Sequence, residues 1–181
     1  MKLLLILTFM FGLAWAGHSG ALYGHKKYTQ ADSASLVVAG TYPDGRKIYL
    51  EKETAKALKS MIGAAAKDGV KLKIISGFRS VQYQKNLFER AVKRRGSKQN
   101  AAKFVAPPGH SEHHTGRAVD LGDINAPGTD LKESFEKTSA YKWLQKNAGK
   151  YGFKLSFLKD NPQGIAYEPW HWCYHAEKTK N

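Results

Sequence analysis

Apolar residues recur at helical spacing over two long stretches of the chain. In residues 51–68 and 80–94, positions three and four apart are apolar, which predicts two amphipathic helices. The first stretch carries Ala55, Leu58, Met61, Ile62 and Ala65, and the second carries Leu87, Phe88 and Ala91. Gly69 is suited to end the first helix. Similar patterns predict a short helix at 98–104 and a longer one at 131–148.

Other segments carry the patterns that are typical of strands. Val70, Leu72 and Ile74 alternate with lysines, which predicts a half-buried strand. Further strands are predicted at 36–38, 48–50, 153–157 and 165–174, with a turn at 43–45 between the first two. Helices and short strands follow one another without regular βαβ alternation. We therefore expect a single α+β domain, in which a small antiparallel sheet is flanked by helices.

The two ends of the chain differ in composition from the patterned region. Residues 1–16 combine a lysine, an apolar run and Ala14-Trp15-Ala16, which predicts a secretory signal peptide cleaved after Ala16. An uncleaved anchor is the alternative, although the apolar run of about fourteen residues is shorter than the roughly 20 of a spanning helix. Residues 17–35 are predicted to form a flexible lead, in which His18 and His25 are bystanders. The domain is assigned to 36–175 and a charged tail to 176–181.

The charge balance favours an anionic partner. Lys and Arg total 29 against 15 Asp and Glu, a formal net charge of +14. The basic run at 93–98 would suit nucleic acid, but export to a periplasm, a cell wall or the medium argues against that partner. Anionic cell-wall polymers are the better candidate partner. Alternatively, the basic run at 93–98 is a solvent-exposed helix end without a binding role. Cys173 is the single cysteine, so no internal disulfide forms, and we expect a monomer.

Two segments concentrate residues that bind metals. Residues 111–120 read SEHHTGRAVD, and residues 167–175 read YEPWHWCYH. On a strand, Gly116, Ala118 and Asp120 would share one face, and the two small side chains would leave a hollow beside the carboxylate. A catalytic zinc site uses three protein ligands and one water, so an aspartate and two histidines would suffice.

Spacing alone leaves several assignments open. The first segment offers two adjacent histidines and the second offers His171 and His175, while Asp123 competes with Asp120. Glu168 stands three residues before His171, where a carboxylate that is not a ligand could take a proton from an attacking water. Each residue also has a structural alternative, since a buried histidine, a capping aspartate or an ion-paired glutamate needs no metal.

The motifs resemble those of the zinc-dependent D-alanyl-D-alanine carboxypeptidase and dipeptidase family of bacterial cell-wall peptidases, of the VanY and LdcB kind. The family pattern SxHxxGxAxD is met by Ser111, His113, Gly116, Ala118 and Asp120. The pattern EPWHW is met by 168–172, and SGYRS with a later glutamine is met by 76–80 and Gln84, with Phe78 in place of tyrosine. The resemblance covers 36–174.

The resemblance implies a role for each motif residue. His113, Asp120 and His171 would hold Zn²⁺, with Glu168 as the catalytic base. Arg79 would bind the substrate carboxylate or stabilise the oxyanion, and Ser111 and Gln84 would contact the substrate. His114 would be a neighbour of the metal site rather than a ligand. Cys173 stands where arginine is common, so a charge that is common in the family is absent at this position.

The implied activity is removal of the C-terminal D-amino acid from peptidoglycan stem peptides by a D,D-carboxypeptidase. An L,D-carboxypeptidase, a D,D-dipeptidase or endopeptidase, or a non-catalytic wall-binding module are the alternatives. A straight strand through 167–172 would place Glu168 and His171 on opposite faces, so both can reach one metal only if the chain turns near Pro169.

Overall fold

The computed structural model describes residues 21–176. The predicted signal peptide and nearly all of the predicted charged tail lie outside the described residues. The strands are β1 (Leu36–Thr41), β2 (Lys47–Glu51), β3 (Leu72–Ser76), β4 (Ala118–Asp123), β5 (Phe153–Leu155) and β6 (His171–Tyr174). The α-helices are α1 (Lys52–Lys67), α2 (Val81–Arg95), α3 (Lys98–Ala102) and α4 (Ser139–Asn147). Short 3-10 helices include Glu112–Thr115 and Glu133–Lys137.

The strands form two antiparallel sheets. β1 pairs with β2, and the larger sheet has the order β3-β4-β6-β5. Every residue of the central strand β4 is buried, because helices cover this sheet and neighbouring strands flank it. The mixed architecture confirms the predicted α+β class with a small antiparallel sheet.

Local capping explains why the two long helices begin and end near their predicted bounds. The Glu51 carboxylate accepts a hydrogen bond from the Thr54 amide at the start of α1. The Ser80 hydroxyl accepts from the Tyr83 amide at the start of α2, and Gly96 ends that helix in the left-handed conformation. Such side-chain caps satisfy amides that have no partner inside the helix.

The core joins α1 and α4 to the larger sheet. Leu58 and Met61 of α1 pack in one cluster with Leu121 of β4 and Leu144 of α4, and all four are essentially inaccessible to solvent. Burying each such side chain contributes roughly 1.5–3 kcal/mol. A second cluster of Phe88, Ala91, Ala101 and Ala102 packs α2 against α3. This second cluster fixes α2 along the side of the cleft described below.

Two of the longer predicted elements are interrupted in the structure. The expected helix at 131–148 is interrupted by Thr138, whose backbone is extended and whose hydroxyl accepts from the Tyr141 amide to begin α4. The expected strand at 165–174 contributes only β6. Pro169 has no amide to donate to a strand partner. The Glu168 carbonyl accepts from the His171 amide, which makes a turn where a strand was expected.

The predicted hollow beside Asp120 is also corrected. Gly116 precedes β4 and has a φ of +70°, so it is not part of the strand face. A Cβ atom there would lie 2.9 Å from the Glu51 amide nitrogen and from Leu36 Cδ2. Gly116 therefore permits close approach of two backbone segments and does not leave space for a substrate.

Residues 21–35 pack against the domain, which differs from the flexible lead expected for 17–35. The Tyr28 amide donates to the Gly109 carbonyl at 2.9 Å, and the Ala31 amide donates to the His114 carbonyl at 2.8 Å. His25 is buried and hydrogen bonds through Nε2 to the Ala102 carbonyl at 2.7 Å. Within 21–176, none of the helices combines the length and apolar character required to cross a bilayer.

Candidate metal centre and cleft

The three side chains predicted as metal ligands come together from separate elements. His113 lies on the 3-10 helix Glu112–Thr115, Asp120 lies on β4, and His171 begins β6. The pairing of β4 with β6 places Asp120 directly opposite His171. One potential ligand atom from each residue lies within 4.8 Å of the other two, and all three residues are buried. The fold therefore brings two imidazoles and a carboxylate to one point.

Hydrogen bonds define which ring nitrogen of each histidine faces that point. His113 Nδ1 lies 2.7 Å from the Gly77 carbonyl oxygen, so it donates and leaves a lone pair on Nε2. His171 Nε2 lies 2.9 Å from a Glu112 carboxylate oxygen, which leaves Nδ1 toward the centre. His113 Nε2 and His171 Nδ1 lie 3.3 Å and 3.2 Å from the same Asp120 oxygen.

Two atoms at the centre lack a partner that a cation would supply. Within the described chain, His113 Nε2 and Asp120 Oδ1 are buried and make no hydrogen bond. A buried unsatisfied polar atom costs about 1–3 kcal/mol, and coordination of one metal ion would satisfy both. Imidazole nitrogen and carboxylate oxygen are ligands that zinc accepts. The residues present therefore fit Zn²⁺.

The electrostatics of two of these groups agree with that fit. Burial lowers the pKa of His113 to about 4, so its imidazole is neutral near pH 7 and can bind a metal. Burial alone would raise the pKa of Asp120, but the nearby His113, His171 and Arg79 outweigh it and hold the pKa well below its usual range. Asp120 is thus a carboxylate at neutral pH.

Glu168 and Arg79 lie next to the cluster of His113, Asp120 and His171, here called the triad, as predicted. A Glu168 carboxylate oxygen is 3.8 Å from His171 Nδ1. Burial raises the pKa of Glu168 to about 7, although the charge of His171 opposes this shift. Arg79 Nη2 lies 3.7 Å from an Asp120 oxygen, and Arg79 Nε is buried without a hydrogen-bond partner among the described residues. A carboxyl group that titrates near neutrality and a cation therefore share the site.

Glu112 is a site residue that sequence reasoning missed. Besides His171, its carboxylate accepts from the Ser156 hydroxyl at 2.6 Å and from the Tyr28 hydroxyl at 3.0 Å. Burial alone would raise the pKa of Glu112, but these donors and His171 lower it to about 2. No local pattern marked Glu112, because the histidine that its carboxylate orients lies 59 positions away in the sequence.

The structure separates the triad from its competitors. His114 donates from Nδ1 to the Arg79 carbonyl and accepts at Nε2 from the Gly109 amide, so both ring nitrogens are engaged away from the triad. Asp123 accepts from the Ser139 hydroxyl and the Ala140 amide at the start of α4. His175 is exposed. None of these three residues belongs to the cluster formed by His113, Asp120 and His171.

A cleft of about 140 Å³, here called the site cleft, opens beside the triad. Ser111 and Gln84 line it, as expected for substrate contacts. Gln84 Nε2 donates to the Ala106 carbonyl at 2.8 Å, while its Oε1 is buried without a hydrogen-bond partner among the described residues. His25, which was expected to be a bystander, also lines the site cleft beside Phe157. No periodic or motif signal marked His25.

Comparison with known proteins gives a consistent result. Residues 47–177 match the family model VanY, described as D-alanyl-D-alanine carboxypeptidase. The Bacillus subtilis (strain 168) protein YodJ is 43% identical over 137 residues, which are 74% of this chain and 49% of YodJ. The chain thus spans about half the length of this curated relative.

Two solved structures share the fold. The LD-carboxypeptidase LdcB, studied for peptidoglycan recognition, is 39% identical with a TM-score of 0.71 and covers 80% of this chain and 69% of its own. A mutant of the D,D-pentapeptidase VanY from a VanB-type resistance cassette, in complex with Zn(II), is 26% identical with a TM-score of 0.62. That match covers 81% of this chain and 82% of the other. The prediction of a zinc cofactor is thereby confirmed, since a related structure contains the metal and the buried cluster of His113, Asp120 and His171 is present here.

Proposed function

Because the chain belongs to the D-alanyl-D-alanine carboxypeptidase family, we propose that it is a zinc-dependent peptidase that removes the C-terminal residue of peptidoglycan stem peptides. The observation that carries this proposal is the convergence of His113, Asp120 and His171 around unpartnered buried atoms, with Glu168 beside them. A stabilising zinc module would need the three ligands but not an adjacent carboxyl group with a raised pKa. The presence of Glu168 and Arg79 therefore favours an enzyme over a non-catalytic wall-binding module.

In this proposal three atoms would hold Zn²⁺: Nε2 of His113, Nδ1 of His171 and a carboxylate oxygen of Asp120. Zn²⁺ held there would supply Lewis acidity toward an attacking water and the scissile carbonyl. Glu168 takes the proton of the attacking water and passes it to the leaving amine. A pKa near 7 suits both transfers, because the group can hold and release a proton at neutral pH.

Arg79 is proposed to bind negative charge on the substrate. Its guanidinium has an unpartnered Nε and an Nη2 near Asp120, so N–H donors remain for a substrate carboxylate or for the developing oxyanion. The Arg79 amide donates to the His113 carbonyl at 3.2 Å, and its carbonyl accepts from His114. These backbone bonds tie Arg79 to the segment that carries a metal ligand. Ser111 and the free Oε1 of Gln84 are proposed to contact the substrate backbone.

D,D-carboxypeptidase activity is the first candidate because the family model carries that description. L,D-carboxypeptidase activity is the second, and the specific observation in its favour is the similarity to LdcB, an LD-carboxypeptidase. Dipeptidase and endopeptidase activities belong to the same substrate class. Substrates of this class lie outside the cytoplasm, which agrees with the signal peptide proposed at 1–16. The peptidase domain is proposed to span 36–175, with residues 21–35 packed against it.

The decisive experiment incubates the zinc-loaded protein with defined stem tri-, tetra- and pentapeptides and identifies the products by mass spectrometry. Loss of one C-terminal D-alanine from the pentapeptide would identify a D,D-carboxypeptidase, and loss from the tetrapeptide an L,D-carboxypeptidase. Glu168→Gln is expected to retain zinc and to lose at least about 100-fold in kcat/KM, the typical contribution of a positioned acid–base group.

Glu133→Gln is the matched control, because Glu133 is exposed and lines a neighbouring cavity of about 580 Å³ that also borders Glu168. This control should retain both zinc and activity. Trimming of stem peptides by Glu168→Gln at the rate of the parent would show that Glu168 is not the base. Absence of any zinc-dependent product from all peptides would refute the proposed activity.

A further inference from the structure

Four cleft-facing positions of α2, three of them polar, form a row that leads away from the triad. Gln84, Arg90 and Arg94 all line the site cleft, together with Leu87 between them. Their spacing places them on one face of the helix. From Gln84 to Arg94 the helix rises about 15 Å, at 1.5 Å per residue. The site cleft therefore continues from the metal centre along α2 toward two arginines.

Within residues 21–176, neither of these two arginines forms an ion pair with an acidic side chain. Among the ion pairs of the described residues, none involves Arg90 or Arg94, although Glu89 next to them pairs with Lys85 at 4.0 Å. Glu168 is the one carboxylate that lines the site cleft in the described part of the chain, against Arg79, Arg90 and Arg94. The cleft wall is thus strongly positive and can accept an anion.

Helix-end electrostatics do not account for the row. Cations in the last turn of a helix interact favourably with its dipole, and Lys93, Arg94 and Arg95 occupy the last turn of α2. That effect would be the same for any of the three side chains. Lys93 does not line the site cleft, however, whereas Arg90 lines it without lying in that last turn. The feature that Arg90 and Arg94 share is the cleft wall.

We infer that Arg90 and Arg94 form a subsite for free carboxylates on the part of the stem peptide that is retained after cleavage. The inference rests on the proposed function. A carboxypeptidase releases one residue, so the remaining N-terminal part of the peptide is the part long enough to extend along α2. About four extended residues span the distance from Gln84 to Arg94, at roughly 3.3–3.6 Å per residue.

A stem peptide fits this subsite better than a separate wall polyanion. The arginines line the same cleft as Glu168 and His171, so one bound molecule can occupy the triad and the row together. Arg90 and Arg94 are exposed, but they border the cleft that contains the triad, which a polymer bound elsewhere on the surface would not require. The subsite therefore selects for stem peptides whose carboxyl groups are free and against peptides in which the same groups are amidated.

The test compares two stem peptides with the same scissile bond, one with free carboxyl groups N-terminal to that bond and one with these groups amidated. The parent enzyme is expected to prefer the free acid by about fivefold in kcat/KM, the upper range for an exposed ion pair, and added salt should reduce the preference. The difference should appear in KM, since the contact is the same in ground and transition states. The double variant Arg90→Gln/Arg94→Gln should show no preference, and Lys93→Gln should keep it.

Equal rates for the two peptides with the parent enzyme, or a preference that survives in the double variant, would overturn the inference while leaving the peptidase intact. If neither peptide is cleaved, the proposed function fails instead. Calorimetric binding of the two peptides to the parent and the double variant then decides the subsite separately. Tighter binding of the free acid that depends on Arg90 and Arg94 supports it, and equal binding refutes it.

Discussion

Asp120 and Asp123 lie on the same strand, yet the structure gives them unrelated roles, and substitution of each by asparagine separates those roles. Asp120 belongs to the triad, whereas the buried side chain of Asp123 accepts a hydrogen bond from the start of α4. We expect Asp123→Asn to lower the melting temperature and leave bound zinc unchanged. Asp120→Asn is expected to lose zinc, because a neutral amide replaces the one anionic ligand of the set.

The magnitude for Asp123→Asn follows from its hydrogen bonds. One carboxylate oxygen accepts from the Ser139 hydroxyl at 3.0 Å and the Ala140 amide at 3.2 Å, and the other accepts from the Asn125 amide at 2.9 Å. An asparagine can place its oxygen on only one side, so its NH₂ group must face a backbone N–H on the other. One lost bond with an unsatisfied donor costs about 1–3 kcal/mol.

For a domain of this size, each kcal/mol lowers the melting temperature by roughly 2–4 °C, so a loss of about 2 kcal/mol corresponds to about 4–8 °C. Differential scanning calorimetry measures the transition, and metal analysis of the dialysed protein gives the zinc content. Zinc loss in Asp123→Asn would show that the ligand has been assigned to the wrong aspartate. Full zinc occupancy in Asp120→Asn would refute the triad.

Two further predictions concern the metal-free site and a close backbone contact. Burial lowers the pKa of His171, but the adjacent Asp120 carboxylate and the hydrogen-bonded Glu112 carboxylate outweigh burial and raise the pKa to about 10. Zinc must therefore displace a proton at pH 8, and its affinity should increase with pH. Because Glu112 helps to raise the pKa of His171, the Glu112→Gln variant should release fewer protons than the parent when it binds zinc. Calorimetry in buffers of different ionisation enthalpy measures the number of protons released, and equal numbers for the two proteins would contradict this account. Gly116→Ala should lower the free energy of unfolding by more than about 1 kcal/mol, whereas Gly128→Ala, with open space around it, should not; similar urea midpoints for both would contradict the close contact.

The helices and sheet class were predictable because their signals are local. The apolar period of α1 and α2 and the caps at Glu51 and Ser80 lie within a few residues of the elements they define. The prediction of one helix at 131–148 was wrong because the Thr138 hydroxyl caps a new helix within that range. Apolar periodicity gives no information about such a side-chain cap. Strand length near 165–174 was wrong because Pro169 interrupts the pattern.

The triad was predictable in part. Residue type and spacing suggested a metal site, but only the family resemblance chose His113 over His114 and His171 over His175. Glu112 was missed because its role depends on contact with a residue 59 positions away, which no local pattern encodes. The hollow inferred at Gly116 was wrong for the same reason, since Glu51 and Leu36 fill that space from elsewhere in the chain.

The site separates the residues that hold the metal from the residue that moves the proton. His113 is oriented by the Gly77 carbonyl and His171 by the Glu112 carboxylate, so neither imidazole depends on Glu168 for its tautomer. Glu168 instead keeps a free carboxyl group whose pKa is raised by burial. Removing the Glu168 carboxyl group should therefore leave zinc affinity nearly unchanged while hydrolysis stops. Removing the Glu112 carboxyl group should instead change zinc affinity, because Glu112 orients a metal ligand. A variant of Glu168 that lost zinc and activity together would show that the two functions are not separable in this fold.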